Sequence, residues 1–125
     1  MDLKWLKQKE EFSFKEPNYK ILDTFPNPGV DEVILICTEF TSLCPLTHQP
    51  DYGVIKITYT PSEVCVESKS LKLYLGSYRQ YGGFAEDITN KILGDLKFVL
   101  NPTFIIVEAE FSSRGGIKIL TKKES

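Results

Sequence analysis

Cys44 and Asp51 are the residues of this 125-residue chain whose types and spacing best suit chemistry. A thiol can attack an electrophilic carbon, and a nearby carboxyl group can deliver the proton that the attacked group then needs. The intervening residues stiffen the backbone. Cys44 precedes Pro45 and Gln49 precedes Pro50, so both are driven toward extended conformations before the chain reaches Asp51. Glu39–Asp51 therefore reads as a stiff loop between two strand-like segments, holding one thiol and one carboxylate at a fixed separation. The same residues equally suit a buried structural cysteine and a turn-forming aspartate, and spacing alone leaves both readings open.

A second cluster lies at the entry to a predicted helix, where Glu67, Ser68, Lys69, Ser70 and Lys72 follow Val66. The free N–H groups of a helix N-terminus favour anions, and Lys69 and Lys72, three apart, fall on one side of the helix. These features suit a phosphate-bearing ligand. They also suit a solvated helix start capped by Ser68 or Ser70. Arg114-Gly115-Gly116 is either a further anion contact or an ordinary glycine turn.

The elements that must position these residues follow from the apolar pattern. Glu32–Cys37 and Gly53–Tyr59 read as strands, the second ended by Pro61. Leu71, Tyr74, Leu75 and Tyr78 mark one face of a helix over Ser70–Tyr81, closed by Gly82-Gly83 with positive φ. Phe84, Ile88, Ile92, Leu96 and Val99 mark a second helix to Leu100, stopped by Asn101-Pro102. Thr103–Phe111 and Gly115–Leu120 form a hairpin across Ser112–Gly116. The order β-β-α-α-β-β predicts an α+β domain, an antiparallel sheet with both helices on one face. Its two open edges invite pairing with further copies of the chain in a ring.

Composition limits the function classes. With 42% hydrophobic and 26% charged residues the chain is ordinary for a globular protein, and a net charge of −2 gives no bulk attraction to nucleic acid or an anionic membrane. The N-terminus is too charged for a signal peptide, and no apolar run spans a bilayer. Cys37, Cys44 and Cys65 cannot all pair within one chain, and they read as reduced thiols of a cytoplasmic protein. With His48 the only histidine and no close-set ligand pair, no metal site is expected. Residues 1–22 read as an N-terminal arm and residues 23–125 as a single domain.

Four separated motifs carry a resemblance. Glu39-Phe-Thr-Ser-Leu-Cys44-Pro45 with Gln49-Pro50-Asp51, then Val66-Glu67-Ser68-Lys69-Ser70-Leu71-Lys72-Leu73-Tyr74, then Phe84-Ala85-Glu86-Asp87, then Ser113-Arg114-Gly115-Gly116-Ile117 stand in this order. Together they resemble the short form of the NADPH-dependent 7-cyano-7-deazaguanine (preQ0) reductases, the nitrile reductases of queuosine biosynthesis. The resemblance spans about Phe25 to Ile119, and the Glu67–Tyr74 string is its most specific part.

The resemblance implies the tunnelling fold, with pentameric barrels that stack into a decamer and sites between subunits. It implies that Cys44 adds to the nitrile carbon as a covalent thioimide and that Asp51 is the general acid. Val66, Glu67, Ser68, Ala85 and Glu86 become substrate-binding positions; Ser68, Lys69, Ser70, Lys72, Arg114 and Gly115 become NADPH contacts. No nucleic acid is then a direct partner. One departure stands out: the family usually has His where this chain has Ala85, which removes a hydrogen-bonding group beside Glu86. His48 is the one residue that could stand in. The chain also ends soon after the last predicted strand, without the C-terminal extension of many members. Two other functions share the scaffold. An amidino-transfer enzyme acting on preQ0 within tRNA would keep Cys44 and Asp51 but not need the Glu67–Lys72 string. A non-catalytic purine- or pterin-binding ring would need neither.

Overall fold

The computed structural model describes residues 16–125. Four long strands form one antiparallel sheet: β2 (Val33–Leu43), β3 (Pro50–Thr60), β5 (Phe104–Arg114) and β6 (Ile117–Glu124), adjacent in the order β2-β3-β5-β6. Two helices, α1 (Ser68–Gly76) and α2 (Ala85–Leu100), pack on one face, as the α+β expectation requires. Alternation decides which face is covered. Phe40, Ile55, Ile57, Tyr59, Ile105, Val107, Ala109 and Phe111 point inward and are buried. They meet Leu71, Tyr74, Leu75 and Tyr78 of the first helical region and Ile88, Ile92, Leu96 and Leu100 of α2.

Several boundaries differ from the sequence reading. The first strand runs past Cys37 to Leu43 through a bulge between Cys37 and Phe40, so the expected Glu39–Asp51 loop shrinks to a short hairpin tip. The bulge resets the inward alternation onto Phe40 and Ser42. A two-stranded ladder, β1 (Thr24–Pro26) with β4 (Val64–Val66), was not foreseen, because its strands are too short for a period-2 pattern to show. The first helix starts at Ser68 and ends at Gly76, continuing only as a 3₁₀ turn over Ser77–Gln80. Gly82 and Gly83 are not among the positive-φ glycines, so they do not close it in the way expected. Asn101, at φ 44°, does close α2 in the left-handed conformation.

At the N-terminal side, residues 1–15 of the expected arm lie outside the described residues. Leu22, placed in that arm by the sequence, is 7% exposed in the core, and Tyr19 packs edge-on against Phe98 with ring centroids 4.9 Å apart. A buried polar link ties the two helices: Tyr74 Oη donates to Asp95 at 2.5 Å and lies 2.8 Å from Tyr78 Oη. Burial raises both phenols above their ordinary value, so they stay protonated donors. The Tyr78 ring in turn rests on Tyr81 and Phe40, which leads from the core to the thiol.

Candidate active site

The β2–β3 hairpin presents Cys44 at its tip. Both backbone groups of Cys44 close the turn: its N–H donates to the Gln49 carbonyl at 2.8 Å, and its carbonyl accepts from the His48 N–H at 2.9 Å. This closure puts His48 at φ 59°. It also brings the Thr47 hydroxyl, then the N–H groups of Thr47 and Leu46, to bear on the thiol and hold it below its ordinary 9.0. Burial and the Asp51 charge push the other way, more weakly. Donors gathered on one sulfur favour the thiolate, the nucleophilic form.

A backbone clamp fixes the thiol relative to α2. Leu43 N–H donates to the Tyr81 carbonyl at 2.9 Å, and the Leu43 carbonyl accepts from Gly83 N–H at 3.2 Å. The clamped segment runs directly into the first turn of α2, which carries Glu86. Gly83 is needed for space: a Cβ there would stand 2.7 Å from the Tyr81 ring.

These connections gather one cavity of about 300 Å³ lined by Cys44, Asp51, Ala85, Glu86 and Arg114, with Phe84, Phe111, Ile117 and Ile119 as its apolar walls. Asp51 opens β3 and faces Ser42 in the ladder. Its carbonyl accepts from the Thr41 hydroxyl at 2.9 Å. Its carboxylate is met by Arg114, with Nε 2.9 Å from Oδ1. A nucleophile, a carboxyl group and a second carboxylate at an apolar wall can activate a polar carbon, supply a proton and grip an N–H edge. His48 is not part of this lining.

The second cluster forms elsewhere. Glu67, not Ser68 or Ser70, caps α1: its Oε2 accepts from Lys69 N–H at 2.7 Å and its Oε1 from Ser70 N–H at 2.8 Å. Those two bonds, with a smaller contribution from the Lys69 charge, hold its carboxyl below the usual range. Ser70 is buried; its hydroxyl donates to the Glu67 carbonyl and accepts from Asp23 N–H, so it anchors the cap to the chain entering β1. Val66 is buried too, its N–H given to the Tyr59 hydroxyl at 2.9 Å. Ser68 and Lys72 line a groove of about 370 Å³ against β2, together with Cys37, Glu39 and Arg79. Lys69 is exposed at the helix start.

The structure thus brings Cys44, Asp51, Ala85, Glu86 and Arg114 together and leaves Ser68 and Lys72 at a separate groove that shares no lining residue with their cavity, with Glu67, Lys69 and Ser70 at the helix start in neither lining. Gly115, at φ 58°, forms the β5–β6 turn with Gly116 at φ 79°. Sequence reading missed Arg79, whose signal was its place seven residues beyond Lys72, two helical turns on. It also missed Thr41, which bonds the Asp51 carbonyl, and Thr47, which lowers the Cys44 thiol. Among the described residues no group of three or more His, Cys, Asp and Glu could hold a metal, and no helix is long and apolar enough to cross a membrane. All three cysteines are free thiols.

Comparison with known proteins bears on the family and the fold. Residues 50–125 match the family model described as QueF-like protein. The NADPH-dependent 7-cyano-7-deazaguanine reductase of Helicobacter pylori strain P12 is 52% identical over 122 residues, covering 95% of this chain and 82% of the relative. The protein of the same name from Streptococcus thermophilus is 47% identical over 121 residues, covering 94% of this chain and 74% of the relative. Among solved structures, the apo archaeosine synthase QueF-Like superposes with a TM-score of 0.73 over 78% of this chain and 95% of its own. At 23% identity that likeness speaks for the fold.

Proposed function

From the premise that the chain belongs to the QueF-like family, as the identities above establish, we propose how its residues carry out NADPH-dependent reduction of 7-cyano-7-deazaguanine. The chain is an oxidoreductase that converts the nitrile of preQ0 to the aminomethyl group of preQ1, a step of queuosine biosynthesis. The observation that carries the site assignment is the single cavity shared by Cys44, Asp51 and Glu86.

A nitrile is a weak acceptor of hydride, so the carbon must first be activated. Cys44 sulfur bonds to it, one carbon–nitrogen π bond opens, and Asp51 gives nitrogen a proton, leaving a thioimide. NADPH, when bound, would supply a hydride to each of the two carbon–nitrogen double bonds that form in succession, and Asp51 would give the later imine nitrogen the second proton that the amine needs. Between the two hydride transfers, Cys44 leaves as the carbon–sulfur bond breaks and an imine remains in the cavity, against the apolar wall of Phe84, Phe111, Ile117 and Ile119, whose exposed members a neighbouring copy would cover. Glu86, exposed at the start of α2, accepts from the N–H edge of the base, with Ala85 beside it. Val66, Glu67 and Ser68 flank the base from the helix-start side.

The helix-start groove suits the cofactor chemically. Lys69 and Lys72 present cations in the first turns of α1, whose N-terminus favours phosphates, Ser68 adds a hydroxyl, and Arg79, past the far end of α1, adds a cation further along the groove. Ser70 serves that contact by holding the cap. Arg114 and Gly115 meet the cofactor from the other side. Because the two half-sites stand apart within one chain, a neighbouring copy completes each site. The open edges β2 and β6, the latter with Ile117 and Leu120 at 69% and 68% exposure, pair between copies in pentamers that stack as decamers. Residues 23–125, with Tyr19 and Leu22 of the expected arm packed onto them, act as one catalytic domain, and the free thiols fit a reducing cytoplasm.

The assay is direct: mix protein, preQ0 and NADPH and follow nicotinamide absorbance. Two NADPH consumed per preQ0, with none in Cys44→Ala, is the expected result. A stable Cys44 adduct without consumption would reject hydride transfer and turn attention to amidino transfer on tRNA. Neither adduct nor turnover would leave a binding ring.

A further inference from the structure

Arg114 stands in the structure not as a free cation but as a fork on the acid's own segment. Its Nε lies 2.9 Å from Asp51 Oδ1, its Nη2 donates to the Pro50 carbonyl at 2.7 Å, and its Nη1 reaches Gln49 Oε1 at 3.5 Å. One planar group thereby contacts three consecutive residues, a rigidity that a lysine ammonium could not supply. The backbone of Asp51 is fixed separately through the Thr41 hydroxyl, so Arg114 restricts the remaining freedom, the carboxyl torsions. Asp51 Oδ2 has no hydrogen-bond partner among the described residues and is the oxygen left for substrate.

The hairpin is shaped to allow this reach. β5 and β6 lose register between Phe111 and Arg114, and Gly115 and Gly116 turn the chain with positive φ immediately afterwards. The irregularity sets Arg114 at the hairpin tip, across the start of β3. Cys44, Glu86 and Arg114 are the other titratable or charged groups lining the cavity with Asp51, and Arg114 is the one cation among them.

We propose that Arg114 is a positioning residue for the proton-transfer step, holding the Asp51 carboxyl toward the cavity it shares with Cys44 whether or not the cofactor is bound. The inference rests on the thioimide reading above. In that step the sulfur pair forms the carbon–sulfur bond, one π bond opens onto nitrogen, and nitrogen takes a proton through Asp51. No hydride is consumed, so the step runs without NADPH, where a mere cofactor contact has no part.

The experiment measures the Cys44 adduct by mass after mixing preQ0 with protein in the absence of NADPH. Wild type is compared with Arg114→Ala, Arg114→Lys, Asp51→Asn and the double variant, and iodoacetamide alkylation of Cys44 serves as the control. Arg114→Ala is expected to slow the adduct about tenfold or more with alkylation unchanged, since a misplaced reacting group carries a penalty of that order. Arg114→Lys restores part of the rate, and Arg114→Ala costs nothing further once Asp51 is asparagine. An adduct rate equal to or above wild type, losses that multiply in the double variant, or alkylation falling in parallel would each overturn the proposal. Absence of an adduct in wild type itself would overturn the thioimide reading first, and this proposal with it.

Discussion

Four separated segments meet around Cys44: the β2–β3 tip, the start of β3, the first turn of α2 and the β5–β6 tip. The groups around Glu67, by contrast, come almost wholly from one helix start, and Glu67 itself is held by the N–H groups two and three residues on. The first region is a product of long-range register, in which a shift of one strand moves the Cys44 thiol or the Asp51 carboxyl away from the Glu86 carboxylate. The second is a local electrostatic device that forms wherever the helix forms. Chemistry needs the first kind of construction because bond making tolerates little misplacement; phosphate attraction is served by the second. Damage at the thiol side is therefore expected to abolish turnover, and damage at the helix side to weaken binding by degrees.

The largest expected effect is Asp51→Asn. Removing a positioned general acid lowers turnover by about 10²–10⁴-fold, while Cys44 alkylation continues. Retention of more than a tenth of the activity would mean that proton delivery comes from elsewhere, and the contrast between the two regions would lose its sharper half. Next is Gly53→Ala. A Cβ at Gly53 would stand 2.8 Å from the Glu110 carbonyl oxygen, a strand backbone that cannot swing aside as a side chain could. The β3–β5 separation would have to grow, at a destabilisation of about 1–3 kcal/mol. Thermal melting reads the stability, and the cofactor-free adduct rate reads whether Asp51 has moved with its strand. Melting unchanged from wild type would show the sheet to be more forgiving than its register implies.

Legibility followed the same division. The helix faces could be read because Leu71, Tyr74, Leu75 and Tyr78 repeat at helical spacing, and the Glu67 string sits beside its own helix. The extent of β2 could not: Thr38 and Glu39 fall in the bulge, break the alternation, and make a continuous strand look like a strand followed by a loop. Gly83 looked like a positive-φ terminator because glycine's commonest use is conformational, whereas here its lack of a side chain admits the Tyr81 ring. The pairing of Cys44 with Asp51 could be read from residue types and spacing, whereas Glu86, which shares their cavity, was singled out by motif resemblance alone. That Arg114 grips Asp51 came from neither pattern nor resemblance, since a contact across two hairpin tips leaves no local trace in the sequence.

At the helix side, Lys72→Ala should raise the KM for NADPH about three- to tenfold with kcat preserved, and the difference should shrink at high salt, where exposed charges are screened. A fall in kcat at saturating NADPH would place Lys72 in the chemistry and erase the distinction between the regions. Smaller still is the pH dependence of the cap. The folded state lowers the Glu67 carboxyl below its ordinary 4.5, so the cap's stabilisation is complete above that value and is lost as pH falls through the lowered one. Glu67→Gln should flatten that part of the melting-temperature profile on the acid side and leave it unchanged at neutral pH apart from a constant offset. An identical acid slope in the variant would assign the slope to other carboxyl groups.

His48 offers the smallest effect and a test of how tightly the thiol side is built. The turn that closes on both backbone groups of Cys44 forces His48 to φ 59°, a conformation in which a side chain is strained by about 1–2 kcal/mol and glycine is not. Glycine also gains freedom in the unfolded chain, which offsets about 0.4–1 kcal/mol of that relief. His48→Gly should therefore stabilise the protein only slightly, by at most about 1.6 kcal/mol, seen as a small rise in melting temperature. The informative reading is the thiol. If the closed turn alone sets the donors around Cys44, its alkylation profile should keep a midpoint below 9.0 in the variant, because the Thr47 hydroxyl and the Thr47 and Leu46 N–H groups remain. A midpoint restored to the ordinary value would show that the histidine at this strained position is what keeps the turn shut around the nucleophile.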